Sequence, residues 1–291
     1  LKVGSEQQPA IEFVNVSMRF EDTVALDDVS LRVPRGEMLL ITGASGSGKS
    51  VLLRLAIGLL RPDAGKVIVE GREIDHLTEE ELLTLRCRSM GIVFQEQSLF
   101  TGMSVYDNTA YRLEELGWPD DRIESAVLEI LEFVGLEEDI DKLPEELSIG
   151  MGRRLEFARA LVGWPAIMLF DEPTAGLDPI NERTILDLVI RARDLHGVSS
   201  LYVTKELREL SYLGGHRAER DSLGRARIVK SDVPVTVMVL ERGRLAFSGS
   251  PAEFASSELP AVTYLTRPTF SSPMTDRHFD DPWAGRREHK G

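Results

Sequence analysis

A single cysteine, Cys87, occurs among 291 residues, so no disulfide can form within the chain. That fits a reducing compartment. Long apolar runs are missing as well. The longest, residues 51–60, is interrupted by Arg54 and falls far short of the roughly 20 residues a membrane-spanning helix needs. Positive charge is the minority sign: 34 Lys and Arg stand against 48 Asp and Glu, a net charge of −14. Affinity for nucleic acid comes largely from basic side chains neutralising phosphates, so no nucleic-acid partner is expected, and an anionic lipid surface would repel the chain in the same way. The first ten residues are polar and lack the apolar centre of a signal peptide. What is present is ordinary for a globular protein: 42% hydrophobic and 28% charged residues, enough to bury a core and to exclude disorder, collagen and coiled coil as the main architecture. At roughly 150 residues per domain, the length predicts two domains or one domain carrying a large insertion.

Residues 11–20 and 24–33 are rich in β-branched and aromatic side chains and read as strands, followed by a turn at Pro34-Arg35-Gly36. Residues 38–42 form a short, continuous apolar run, the pattern of a strand buried on both faces. A glycine-rich loop and a helix over 49–60 follow, then a strand at 66–70. Thr78 and Glu81 have capping-box spacing at the start of another helix. Strand-like residues at 90–94 precede a helical stretch over 105–161, broken near Gly117-Trp118-Pro119 and Leu143-Pro144. Residues 167–170 read as a buried strand, and Asp178-Pro179 opens a helix as N-cap and N1. A strand at 200–204 precedes a polar stretch, 214–232, read as an exposed insertion, and a hairpin at 233–247. From 266 to 291 the composition is that of a flexible tail. Alternating strands and helices predict an α/β fold with an inserted helical subdomain.

Gly43-Ala44-Ser45-Gly46-Ser47-Gly48-Lys49-Ser50 fits G-x-x-x-x-G-K-[ST], preceded by a buried strand and followed by a helix. Its glycines let successive N–H groups turn toward a phosphate, and the helix N-terminus faces the same anion. Lys49 supplies a full charge for the β- and γ-phosphates, and the Ser50 hydroxyl a ligand for Mg²⁺. Asp171 and Glu172 end the apolar run at 167–170. Asp171 is expected in the magnesium shell and Glu172 as the general base that polarises the attacking water.

These residues resemble the ATP-binding cassette (ABC) ATPases, over about residues 11–254. The resemblance implies a P-loop NTPase core with an N-terminal antiparallel β subdomain and a helical subdomain inserted at about 96–162. Phe20 stands where the family places an adenine-stacking aromatic, a strand core residue being the other reading. Gln95 matches the Q-loop glutamine that touches Mg²⁺ and senses the membrane subunit. Leu147-Ser148-Ile149-Gly150-Met151 resembles the signature motif, so Ser148 and Gly150 would face the γ-phosphate held by a second protomer. Asp178 ends the segment running into the D-loop and also suits a helix cap. Two residues depart from the pattern. Ile149 replaces a glycine, which would strain any positive-φ geometry and crowd the phosphate. Lys205 replaces the H-loop histidine; it could donate to the γ-phosphate as a point charge without imidazole's geometry, or be an exposed strand-end lysine. Within the family, residues 99–111, Met151 and Arg153-Arg154 look like the Mla/Mce-type phospholipid transport ATPases.

The reading implied is an ATP- and Mg²⁺-dependent ATPase that pairs as a homodimer. It would dock on integral-membrane permease subunits at the cytoplasmic face of the inner membrane and work with a Mce-type substrate-binding protein to move phospholipid. Two alternatives stay open: a nucleotide-gated dimerisation module with little hydrolysis, and the ATPase of a transporter for another substrate. A soluble ABC protein acting on DNA or ribosomes fits poorly with the acidic charge.

Overall fold

The computed structural model describes residues 8–21, 23–96 and 98–266. Two sheets and three groups of helices build the site. Strands β1 (Ile11–Phe20), β2 (Thr23–Val33), β4 (Ala64–Val69) and β5 (Arg72–Glu73) form an antiparallel sheet in the order β2-β1-β4-β5. The second sheet runs β12-β11-β3-β8-β7-β6, from β3 (Met38–Thr42), β6 (Met90–Val93), β7 (Ile167–Asp171), β8 (Ser199–Val203), β11 (Val235–Glu241) and β12 (Arg244–Gly249). Its four inner pairings from β11 to β6 are parallel, and only β12 runs antiparallel at the edge.

Every residue of β3 is buried. Leu39 and Ile41 pack with the antiparallel sheet and α1 (Lys49–Ala56), while Met38 and Leu40 pack on the opposite side with the helical subdomain. A strand of period two thus stitches two cores together, which is why its sequence is apolar without alternation. The helical subdomain comprises α3 (Val105–Glu115), α4 (Asp120–Val134) and α5 (Ile149–Leu161). Helix α2 (Glu79–Ser89) carries the expected capping box, with Thr78 and Glu81 bonding reciprocally. Helix α6 (Pro179–His196) is capped by Asp178 as read from the sequence.

Several expectations change. Helix α1 stops at Ala56 rather than near residue 60, because Gly58 turns the chain at φ +67, packed against Leu82 where a Cβ would crowd the leucine. Residues 214–232 are not a plain loop. Helix α7 (Leu207–Gly214) leads into a hairpin of β9 (His216–Arg220) and β10 (Ala226–Lys230), whose turn is organised by Asp221 accepting from Leu223 and Arg225 N–H. The hairpin is anchored on α6, where Asp194 accepts from Ala218 N–H at 2.7 Å and Arg193 donates to His216 O at 2.8 Å. Its outer face is charged, so the strands carry too few apolar positions to show their period. Two short helices, α8 (Pro251–Ser256) and α9 (Pro260–Thr266), close the described chain. Apart from Thr266, the tail expected over 266–291 lies outside the described residues.

Gly91 sets how closely the signature helix approaches the sheet. A Cβ there would overlap Ala160 O on α5 and the Met168 sulfur on β7. Gly91→Ala should therefore overpack this contact and lower stability by about 1–3 kcal/mol, read as a lower denaturant midpoint at unchanged m-value.

Candidate functional site

The phosphate loop leaves the buried end of β3. Gly43 and Gly48 have φ +152 and +105, and a Cβ on either would overlap a backbone carbonyl oxygen, of Leu240 and Ala25 respectively. Both glycines are thus required by conformation and by close approach. Lys49 is nearly buried, and its Nζ donates to Gly43 O at 2.8 Å and Ala44 O at 2.9 Å. Burial lowers its pKa, opposed by the charges of Glu172 and Asp171. The ammonium is held over the loop by carbonyls, ready to exchange them for a more strongly accepting anion. The cavity beside the loop, about 370 Å³, is lined by 43–47, the β11–β12 turn with Arg242, and Ala261, Tyr264 and Leu265 of α9. Phe20, 42% exposed at the end of β1, does not line it. The aromatic that does line it is Tyr264, on a helix too short to show a period.

Ser50 Oγ donates to Asp171 Oδ1 at 3.1 Å, joining the loop to the end of β7. Burial raises the Asp171 pKa and this hydrogen bond counters it. Ser50, Gln95 and Asp171 line one cavity of about 360 Å³, with Arg54, Phe94, Glu96 and Ser98. The three expected magnesium residues therefore converge. They offer a hydroxyl, an amide oxygen and a carboxylate, an all-oxygen set that suits Mg²⁺. Among the described residues no group of three or more His, Cys, Asp or Glu gathers as a metal site. That agrees with a cation held by one carboxylate together with substrate phosphates and water.

Glu172 adopts φ +44, a left-handed backbone rarely taken by residues with side chains. Its Oε2 pairs with Lys205 Nζ at 2.9 Å. Glu172 is the main cause of the raised Lys205 pKa. Lys205, half-exposed just beyond the end of β8, thus stands beside the expected general base as its counter-charge.

Ser148 caps α5, its Oγ accepting from Met151 N–H at 3.3 Å. Ile149 is the first residue of α5, lies outside the positive-φ positions and is 70% exposed. The strain expected there is absent because the first helical position takes ordinary helical dihedrals. Gly150 packs on Asn181 of α6, where a Cβ would overlap the amide. Asp178 accepts from the N–H groups of Ile180 and Asn181 and from the Asn181 amide, so its carboxylate is fully engaged as a cap. These bonds, the side-chain bond from Asn181 first, lower its pKa.

The sequence reading missed how α5 grips the segment around Gln95. Arg153 and Glu156 are 3% and 2% exposed and pair at 2.8 Å. Arg153 donates to Phe94 O at 2.8 Å and Gln95 O at 2.9 Å, and Glu156 accepts from Ser98 N–H at 2.6 Å. Arg159 adds bonds to Ser98 O and Oγ. The sequence signal was an i,i+3 charge pair in a helix whose other charged residues are Arg154 and Arg159.

Removing one partner of such a pair strands a buried charge, at about 3–5 kcal/mol, whereas replacing both by apolar groups is often neutral. Glu156→Ala should thus lower Tm far more than the double variant Arg153→Met, Glu156→Met, compared by calorimetry.

The chain matches the family described as ABC transporter over residues 26–175. A methionine import ATP-binding protein of Rhodopseudomonas palustris is 46% identical over 187 residues, covering 64% of this chain and 50% of that protein. One from Haemophilus ducreyi is 39% identical over 265 residues, covering 89% and 71%. The chain spans about half to two thirds of the length of the first such relatives. Among solved structures, cbiO1 of Clostridium perfringens, part of the transporter complex cbiONQ, superposes with TM-score 0.73 at 28% identity over 89% of this chain and 96% of that one. The dimeric bacterial cassette MJ0796 superposes with TM-score 0.70 at 25% identity, covering 83% and 98%.

These relatives do not carry the expected likeness to the Mla/Mce-type phospholipid ATPases, nor the Mce-type partner that went with it. Packing accounts for the residues that suggested it. Asn108 is buried and folds the 100–104 loop through bonds to Phe100 N–H and O, Met103 O and Ser104 O. Arg154 caps the end of α4 at Val134 O and Gly135 O. Such duties say nothing about cargo. The phosphate loop between two cores, the convergent Ser50, Gln95 and Asp171, and the family match together show that this chain belongs to the ABC transporter family.

Proposed function

We propose that the chain is the ATP-binding and ATP-hydrolysing subunit of an ABC transporter, working as a pair of cassettes docked on membrane permease subunits. The observation that carries the reading is the juxtaposition of the Lys49 ammonium and loop amides with the Asp171–Glu172 carboxylates across one strand end. No described helix is long and apolar enough to cross a membrane. The MJ0796 cassette is dimeric also when bound to ADP and phosphate, which supports pairing; in the pair, Ser148 and Gly150 would face the γ-phosphate of the other cassette.

In this mechanism Lys49 and the loop N–H groups hold the β- and γ-phosphates, and Ser50, Asp171 and Gln95 would hold Mg²⁺. When bound, the ion neutralises charge on the phosphate oxygens. Glu172 orients and polarises water, with the Lys205 ammonium 2.9 Å from its Oε2 as counter-charge. Positioning and charge do most of the work in phosphoryl transfer, and these groups supply both. Methionine, the cargo in the relatives' names, is the first substrate to test, ahead of phospholipid.

Phosphate release by the purified chain with its co-purified permease tests the reading. Lys49→Ala should abolish ATP binding, and Glu172→Gln should retain binding while losing turnover by roughly 100-fold or more. Equal, negligible turnover in wild type and Glu172→Gln would favour the nucleotide-gated module. Stimulation of the reconstituted assembly by methionine, and not by phospholipid vesicles alone, would assign the cargo. Lys205→His should keep turnover, because imidazole can replace the point charge beside Glu172; a large loss would mean the ammonium is specifically required.

A further inference from the structure

Glu209 has no part in the mechanism above, yet it is a carboxylate with 0% exposure in the first turn of α7. Its Oε1 accepts from the Thr174 hydroxyl and its Oε2 from Tyr202 OH at 2.9 Å. The Thr204 hydroxyl lies nearby and accepts from Glu206 N–H at 2.9 Å. The neighbouring cations are engaged elsewhere: Lys205 with Glu172, and Arg208 with Glu182. Burial raises the Glu209 pKa, and the hydroxyls around it oppose that shift. A buried acid without a counter-ion is unfavourable unless its oxygens are well satisfied, and here hydroxyls satisfy them.

The donors come from two segments that matter. Thr174 follows Glu172 by two residues, in the turn where Ala175 N–H bonds Glu172 O and Leu177 N–H bonds Thr174 O. Tyr202 and Thr204 flank the end of β8, immediately before Lys205. The backbones of the two segments meet where Glu172 N–H donates to Val203 O at 2.9 Å. Glu172 itself sits at φ +44, a conformation that persists only where the surroundings over-determine it. Nothing in the phosphate loop grips the turn at Thr174; Glu209 does.

We propose that Glu209 is a positioning residue for hydrolysis: by tying Thr174 to Tyr202, it holds the Glu172–Lys205 pair so that the other Glu172 oxygen faces the attacking water. The inference rests on the hydrolysis reading above. It separates binding from chemistry, because the groups that hold the triphosphate lie on β3 and α1, while the groups Glu209 orders lie after β7 and β8. A misplacement of about 1 Å at a reacting group lowers rate on the order of 100-fold.

The test measures kcat, KM and direct nucleotide affinity for the full chain with MgATP, together with Tm. Glu209→Ala should lower kcat by roughly 10- to 100-fold while KM and nucleotide affinity stay at wild-type values. Glu209→Gln should recover most of kcat, since its amide oxygen still accepts and its NH₂ can donate to a hydroxyl oxygen. If Glu209→Ala does not fold, Thr174→Val decides, with Thr174→Ser as its rescue, because valine keeps the shape of threonine and removes only the hydroxyl. A loss of kcat in Thr174→Val that Thr174→Ser restores supports the role. Wild-type kcat in Thr174→Val, or a Glu209→Ala variant that loses only Tm, overturns it. A wild-type chain that binds ATP and releases no phosphate overturns the hydrolysis reading, and this inference with it. Turnover in wild type matched by Glu209→Ala overturns the positioning role alone.

Discussion

The two-sided burial of β3 sets the position of the nucleotide site. Leu39 and Ile41 belong to one core and Met38 and Leu40 to the other, so the strand end cannot shift without disturbing both. The loop that leaves it is pressed against β11 and β2, where the carbonyls of Leu240 and Ala25 admit only glycine at Gly43 and Gly48. The neighbours of β3 then bring the remaining chemistry. Parallel pairing with β8, and of β8 with β7, puts Asp171 opposite Val203 and Lys205 just beyond. The strands of a parallel sheet all end on the same edge, and ligands bind there.

Charge in the site is balanced before any ligand arrives. Two lysines face two carboxylates: Lys49 feels both Glu172 and Asp171, and Lys205 is bonded to Glu172. A triphosphate entering this arrangement meets a loop whose ammonium has only carbonyl partners, so the anion displaces weak acceptors and no strong ion pair. Glu172, by contrast, keeps its own counter-charge. Each lysine of the site is thus held by its own oxygen partners, Lys49 by loop carbonyls and Lys205 by a carboxylate.

Two buried carboxylates outside the site extend this logic in different directions. Glu156 pairs with Arg153, and together they hold the backbone around Gln95 against the helix that begins at Ser148. Glu209, held by hydroxyls alone, spans the segments behind Glu172 and Lys205. One holds the segment that carries Gln95, the other the segments that carry Glu172 and Lys205. Both exploit the same property: a buried polar group is held rigidly because every alternative arrangement leaves it unpaired.

The phosphate loop, the carboxylate pair and the buried strands were legible because each depends on residue type over a few consecutive positions. The left-handed glycines, the apolar run on β3 and the Asp178 cap are local requirements of that kind. The antiparallel partners of the hairpin at 216–230 were not legible, since a two-stranded ribbon with a charged outer face has almost no apolar period to read. Nor was the partner of Lys205, the packing that occupies Arg154 and Asn108, or the burial of Glu156 and Glu209. Sequence by itself determined which groups could meet a phosphate, because backbone conformation and charge are properties of short stretches. Only the tertiary structure decided which carboxylate faces which cation, because those distances are set by strand order and helix packing between residues far apart in the chain.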